Sequence, residues 1–405
     1  MKKWFAVALI LVLWASSSFA RQTGAHKQIA PAKHSTKAVH QKAAQGKQVG
    51  PVKQAEAYIV MEPMSGRVME GENIHTKRAP ASVTKLMVSF VVMEKLARGE
   101  IKLTDKISVS KEASKIGGSQ VYLKEGEEFT LEELMKAMMI ASANDAAYAI
   151  AEHISGTPQA FVRIMNEKAQ ALGMKDTEFQ SVHGLPPGNG QKEDQTSCYD
   201  LALLGGSLLG YSKLLEWTSM KEGEFRNGQF ALHNHNKLLM RLPDVDGLKT
   251  GFYRSAGFNV VVSAKRSGLR CIVVVMGSPS GRIRDDFAAA KIKSYFADYA
   301  PVVFVKKGEQ IQQEVLLDDG KYRKLKGVAA SEFVFPMAKS GKSDIKRSVV
   351  LPRSLKGEVR EGQKLGQLVF QRENEVVGKV DIVSPVHVPE ANLFTRLIRK
   401  TGLNL

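Results

Sequence analysis

The chain is 405 residues long and 43% apolar, enough to bury at least one sizeable core, and its length predicts two folded units with appendages. Two cysteines, Cys198 and Cys271, exclude a disulfide framework and read as free and buried. The formal charge of +17 is unevenly spread, because residues 21–55 hold seven Lys and Arg and no acid; the remainder is only moderately basic, and nucleic acid is not an expected partner.

Residues 1–20 begin with Lys2-Lys3, run uncharged and apolar from Trp4 to Trp14, and leave through small residues from Ala15 to Ala20. This is the pattern of a secretory signal peptide, with Ser18 and Ala20 predicting cleavage after Ala20. No other segment approaches the roughly 20 apolar residues of a membrane-spanning helix. The expectation is an exported protein, soluble or peripheral, in the periplasm or on the cell-wall side of the membrane. Residues 21–55 lack large apolar side chains and read as a flexible basic leader. It is either a solvated spacer or an adhesive segment for anionic wall polymers or lipid head groups.

From Ala57 the pattern changes. Ala57–Met61 and Arg67–Met69 flank a Pro-Met-Ser-Gly turn, a strand–turn–strand signal. Leu86–Met93 is apolar nearly all round and predicts a helix enclosed by protein on most sides. Ser82-Val83-Thr84-Lys85 stands at its start, so Ser82 and Lys85 share a helix face. A serine hydroxyl needs a neighbouring base to attack a carbonyl, and Lys85 is that candidate. The positive end of the helix would disfavour the lysine's charge and offer N–H groups to an oxyanion.

Thr130-Leu131-Glu132-Glu133 has capping-box spacing and predicts a helix start at Thr130, with a second helix through the Ala-rich run 146–151. Between them Ser142-Ala143-Asn144 supplies a hydroxyl able to relay protons and an amide able to hold a peptide group; a plain helix-to-helix turn is the bland alternative. Asp246-Gly247-Leu248-Lys249-Thr250-Gly251 supplies an ammonium for a carboxylate, a hydroxyl, and a glycine that admits close backbone approach. Strands are predicted over Asn259–Ala264 and Cys271–Met276, and a helix from about Ile283 to Tyr299. Strands at both ends with helices between imply an α/β sandwich.

His233 and His235 could suggest a metal, but no third ligand has suitable spacing. Beyond Pro301 short β-type runs, Ser348–Leu351, Leu365–Phe370 and Val376–Val383, predict a separate, smaller all-β domain. Asn392–Leu405 forms a short amphipathic pattern that either lies on a membrane surface or docks onto the β domain. The expected boundaries are 1–20, 21–55, 56–300, 301–390 and 391–405.

Each motif alone is weak; in this order they are the set of class A β-lactamases and penicillin-binding proteins. Ile116–Ser119, Ser142–Ala147, Phe179–Leu185 and Val245–Gly251 narrow the match, and over roughly residues 55–390 the chain resembles the D-alanyl-D-alanine carboxypeptidase family. The resemblance implies a serine β-lactamase/transpeptidase-like sandwich, an antiparallel sheet with helices on both faces, ahead of the β domain. It implies Ser82 as acylated nucleophile, Lys85 as base, Ser142 and Lys249 as proton relay, and Asn144, Thr250 and Gly251 at the substrate. The N–H groups of Ser82 and Phe252 would form the oxyanion hole. His235 stands where some relatives carry an Arg beside the substrate carboxylate, and Tyr253 where many have Thr. Peptidoglycan stem peptides are the implied substrates and β-lactams the inhibitors, with no metal or other cofactor.

Three rivals use the same residues. A β-lactamase would need a carboxylate for fast deacylation, and Glu178 is the nearby candidate. A D,D-endopeptidase acting on cross-links would differ only in room beyond the leaving group. A non-catalytic wall-binding protein is disfavoured by the presence of Ser82, Lys85, Ser142 and Lys249.

Overall fold

The computed structural model describes residues 53–392 except 342, 343 and 374, together with residue 395. The signal-peptide reading, nearly all of the basic leader and nearly all of the terminal helix lie outside the described residues.

In chain order the first part contains β1 (Ala57–Glu62), β2 (Arg67–Glu72), α1 (Lys85–Ala97), β3 (Lys106–Ser108), β4 (Glu128–Thr130), α2 (Leu131–Ile140), α3 (Asn144–Ser155), α4 (Pro158–Ala171), α5 (Cys198–Leu208) and α6 (Ser212–Ser219). It continues through β5 (Glu222–Phe225), β6 (Phe230–His233), α7 (Leu238–Arg241), β7 (Val245–Tyr253), β8 (Gly257–Arg266), β9 (Leu269–Ser278) and α8 (Gly281–Asp298). The main sheet has the order β2-β1-β9-β8-β7, and every neighbour pair is antiparallel.

Side chains alternate across a strand, so an apolar run such as Val260–Val262 must be covered on both faces. Val60, Val260, Val262, Val273 and Val275 pack with Ala288, Ile292, Tyr295 and Phe296 of α8. Ile59, Met61, Val261, Ile272 and Val274 face the opposite helical layer, with Leu86 and Met87 of α1, Leu134 and Met138 of α2, and Leu201 and Leu204 of α5. The sheet is therefore sandwiched, as the alternation of strands and helices implied. α1 is buried from Lys85 through Met93, which accounts for its apolar circumference. The capping box at Thr130 is complete: its hydroxyl accepts from Glu133 N and the Glu133 carboxylate accepts from Thr130 N.

The remaining strands are β10 (Tyr299–Val305), β11 (Gln310–Leu317), β12 (Lys324–Ala329), β13 (Phe333–Ala338), β14 (Ile345–Val350), β15 (Ser354–Leu355), β16 (Lys364–Arg372) and β17 (Glu375–Val383). They form a six-stranded sheet, β14-β16-β17-β12-β11-β15, and a β10–β13 pair, around a core that includes Val305, Phe333, Phe335, Leu368 and Phe370. Pro301, beyond which the β-type runs are expected, lies inside β10, opposite Pro336 of β13. A proline is tolerated there because a two-stranded sheet has an outward N–H side that needs no ladder partner.

Candidate active site

The 3-10 turn Ala81–Thr84 precedes α1, so Ser82 lies one turn ahead of the regular helix rather than within it. Two close backbone approaches hold this turn. A side chain on Gly251 of β7 would meet Pro80 O at 2.5 Å and Ser82 N at 3.0 Å. Gly184, at φ +74°, would meet Ala81 O at 2.0 Å. Only glycine lets the edge strand and the 181–185 loop close on the serine from both sides.

Lys85 Nζ stands 3.0 Å from Ser82 Oγ, 2.6 Å from Asn144 Oδ1 and 2.7 Å from His183 O. These three acceptors orient the amine at the hydroxyl. Burial, and after it the charge of Lys249, push the Lys85 amine well below the ordinary lysine range. The helix dipole invoked from sequence is therefore not the main cause; desolvation is.

Ser142 bridges the end of α2 and the start of α3 at φ +62°, a left-handed conformation that a non-glycine residue adopts under strain. Its Oγ accepts from Lys249 Nζ at 2.9 Å, and Lys249 Nζ also donates to Thr250 O at 3.0 Å. Burial and the nearby Arg284 bring Lys249 down to about 7. The site thus contains two hydroxyl–amine pairs, each amine buried and easily deprotonated.

Two buried carboxylates fix the surrounding loops. Asp194 accepts from Gln180 N at 2.6 Å, Ser181 N at 2.9 Å, Ser181 Oγ at 2.9 Å and Thr84 Oγ1 at 2.9 Å, joining the His183 loop to the turn that carries Ser82. Asp145 accepts from Val121 N and Leu123 N, each at 3.1 Å, and so holds the 117–123 loop to α3. Asn144 Nδ2 adds a bond to Gly117 O at 2.7 Å. Burial raises both carboxyls above the usual range.

One cavity of about 620 Å³ is lined by Ser82, Ser119, Ser142, His235, Thr250, Gly251, Phe252 and Arg284, among others. Lys85, Asn144 and Lys249 stand buried behind that lining, Lys85 donating to Ser82 Oγ, Lys249 to Ser142 Oγ and the Asn144 backbone N–H to Ser119 O. Phe252 is half-exposed at the mouth and stacks on Phe258 at 3.9 Å between centroids. His235 is exposed at the rim of the cavity, and partial desolvation with the charges of Lys249, Lys85 and Arg284 pushes its imidazole down to about 4. His233 is exposed beside Glu222 and does not line the cavity. Among the described residues no three His, Cys, Asp or Glu side chains cluster as metal ligands.

Two residues here escaped the sequence reading, Arg284 and Asp194. Ser119, read only as part of the Ile116–Ser119 motif, lines the cavity, and His183 contributes through its carbonyl rather than its ring. The Tyr253 hydroxyl donates to Glu193 Oε1 at 2.5 Å, so it is committed away from any substrate. Glu178 is exposed, bonded to Gln180, and absent from the cavity lining. The carboxylate in that lining, Asp285, is held by the Arg284 guanidinium at 2.7 Å. Cys198 and Cys271 are free and buried, and burial pushes both thiols up.

This arrangement suits acyl transfer: a hydroxyl nucleophile with its own amine, a second hydroxyl–amine pair for the leaving group, and a cationic wall for an anionic substrate. The sequence model of the D-alanyl-D-alanine carboxypeptidase family matches residues 41–280, and that of the penicillin-binding protein 5 C-terminal domain matches 299–390. D-alanyl-D-alanine carboxypeptidase DacF of Bacillus subtilis is 31% identical over 401 residues, covering 98% of this chain and 96% of that protein. Penicillin-binding protein 5 of Haemophilus influenzae superposes with a TM-score of 0.66 at 29% identity, over 84% of this chain and 99% of that one. Penicillin-binding protein D2 of Listeria monocytogenes, in its ampicillin-bound form, does so with a TM-score of 0.54 at 28% identity, over 61% of this chain and 98% of that one.

Proposed function

The chain belongs to the D-alanyl-D-alanine carboxypeptidase family, and from that premise we propose that it removes the terminal D-alanine from peptidoglycan stem peptides through an acyl-enzyme on Ser82. Neutral Lys85 accepts the Ser82 proton as Oγ attacks the carbonyl of the penultimate D-alanine. The oxyanion is received by the N–H groups of Ser82 and Phe252. The C–N bond to the terminal D-alanine breaks as its nitrogen takes a proton through Ser142, backed by Lys249, and water then cleaves the Ser82 ester. Thr250, with Arg284 and His235 beside it, faces the terminal carboxylate, and Asn144 the peptide backbone.

The observation that carries this reading is the contact of Ser82 with a buried amine held below its ordinary proton affinity, at 3.0 Å. β-Lactams acylate the same hydroxyl. Their esters are expected to persist, because the carboxylate lining the cavity is tied to Arg284 and Glu178 is turned to solvent. That disfavours the β-lactamase reading.

We place the enzyme outside the cytoplasm on the pattern of residues 1–20, with residues 391–405 as its candidate contact with a membrane surface. Among the described residues no helix is long and apolar enough to cross a membrane. The test is incubation with a D-alanyl-D-alanine pentapeptide and, separately, a labelled penicillin, each against Ser82→Ala. D-alanine release and labelling should both vanish in the variant; their absence from the unmodified enzyme would refute the proposal.

A further inference from the structure

The terminal carboxylate of a stem peptide engages Thr250, Arg284 and His235 in the reading above, and the same cavity carries more positive charge than one carboxylate requires. Lys237, Arg241 and Arg282 also line it. Arg241 is bonded to Asp286 at 2.6 Å, and Arg284 to Asp285 at 2.7 Å. Arg282 reaches Asp286 only at 3.7 Å, from a side chain 91% exposed, and Lys237 has no acidic partner among the described residues. Four lining cations therefore face two carboxylates, with Lys237 and Arg282 in excess.

Scattered surface cations are ordinarily just solvated. These two line the same concave cavity as the nucleophile from its exposed rim, so their charges act together on whatever enters it. Lys237 lies two residues beyond His235, and Arg282 two residues before Arg284, so each outer cation flanks a residue already facing the carboxylate. A peptide ending in D-alanine brings one negative charge to this wall. A leaving residue with a second carboxylate brings two, which matches the excess.

Resting on the proposed carboxypeptidase chemistry, we infer that Lys237 and Arg282 form an outer subsite for a second carboxylate on the leaving group. Peptides ending in a D-dicarboxylic residue, and cross-linked stems whose acceptor residue keeps its carboxylates, both present that chemistry.

The test compares kcat/KM of the full-length enzyme on acyl-tripeptides ending in D-Ala-D-Ala, D-Ala-D-Glu and D-Ala-D-Gln, the last being a neutral match for D-Glu. The D-Glu to D-Gln ratio should be about five, the scale expected of two partly screened ion pairs. It should fall toward one in about 1 M salt, where the Debye length is about 3 Å. It should also fall toward one in the Lys237→Gln/Arg282→Gln double variant; because the ratio is taken within one enzyme, any general loss of turnover cancels. A cross-linked dimer assayed against the same dimer with only the second acceptor carboxylate amidated, the one farther from the cleaved bond, shows whether cross-links are read the same way as free ends, and a preference in either pair supports the subsite. A ratio of one in both pairs, or ratios unchanged by the double variant, overturns it while D-alanine release stands. Absence of Ser82-dependent D-alanine release overturns the parent reading and the subsite together.

Discussion

Lys249 is a cation enclosed by protein, only 2% exposed, and its folded-state proton affinity lies at about 7 against an ordinary 10.5. A lowered lysine pKa means that the unfolded chain binds more protons than the folded one between those two values, so stability rises with pH across that window. Below pH 7 both states are protonated and the burial penalty is present in full, a few kcal/mol at about 1.4 kcal/mol per pKa unit. Lys249→Met removes the charge and should be more stable than the parent at pH 6, with the advantage shrinking toward pH 10. Loss of the bonds to Ser142 Oγ and Thr250 O offsets about 2 kcal/mol of that gain, which leaves the balance positive. Urea midpoints of both proteins at pH 6, 8 and 10 measure it, and a pH-independent difference would contradict the linkage. The side chains with this burden were legible in sequence, because Ser–x–x–Lys and Lys–Thr–Gly are local spacings with a chemical reason. Asp194 was not, since its bond to Thr84 spans 110 residues, and the His183 carbonyl has no side-chain signature at all.

Among the elements, the strand–turn contact between β7 and the 81–84 turn is the one on which the proposed chemistry rests. Gly251→Ala would force Pro80 O and Ser82 N away from a methyl that has no room, since the ideal positions lie 2.5 and 3.0 Å apart. A displacement of about 1 Å at a reacting group lowers rates roughly 100-fold, so Ser82 acylation by penicillin should fall by about that factor while the fold survives. Thr130→Ala supplies the contrast. It removes a helix cap worth about 1 kcal/mol, lowering the unfolding midpoint and leaving the acylation rate unchanged. Stopped-flow acylation with thermal melts separates the two, and equal rate losses in both variants would show that stability, not position, governs the site. The capped helix, the buried α1, and the β1–β2 and β8–β9 hairpins were readable because periodicity and turn residues repeat within a few positions. Short pairs such as β3–β4 and β5–β6 were not: three or four residues carry no period, and their register is set by what packs around them.

For the molecule as a whole, α8 passes at Asp298 directly into β10, yet the apolar cores on either side stay separate. Val334 of β13 packs against the α8-side core, and Lys339 N donates to Asp298 O, so the contact between the two parts is small beside either interior. Interfaces of that kind couple folding weakly. The full-length protein should therefore unfold in two calorimetric transitions. Phe370, fully buried and stacked on Phe333 at 4.5 Å, reports on the second part. Phe370→Ala should lower one transition, destabilising that part by about 3–5 kcal/mol, and leave Ser82 labelling by penicillin intact. Acylation by penicillin should raise only the other transition, because a ligand bound to the native state stabilises the part that holds it. If both perturbations move a single shared transition, the two cores fold as one and the strand contacts around residue 299 transmit far more than their size suggests.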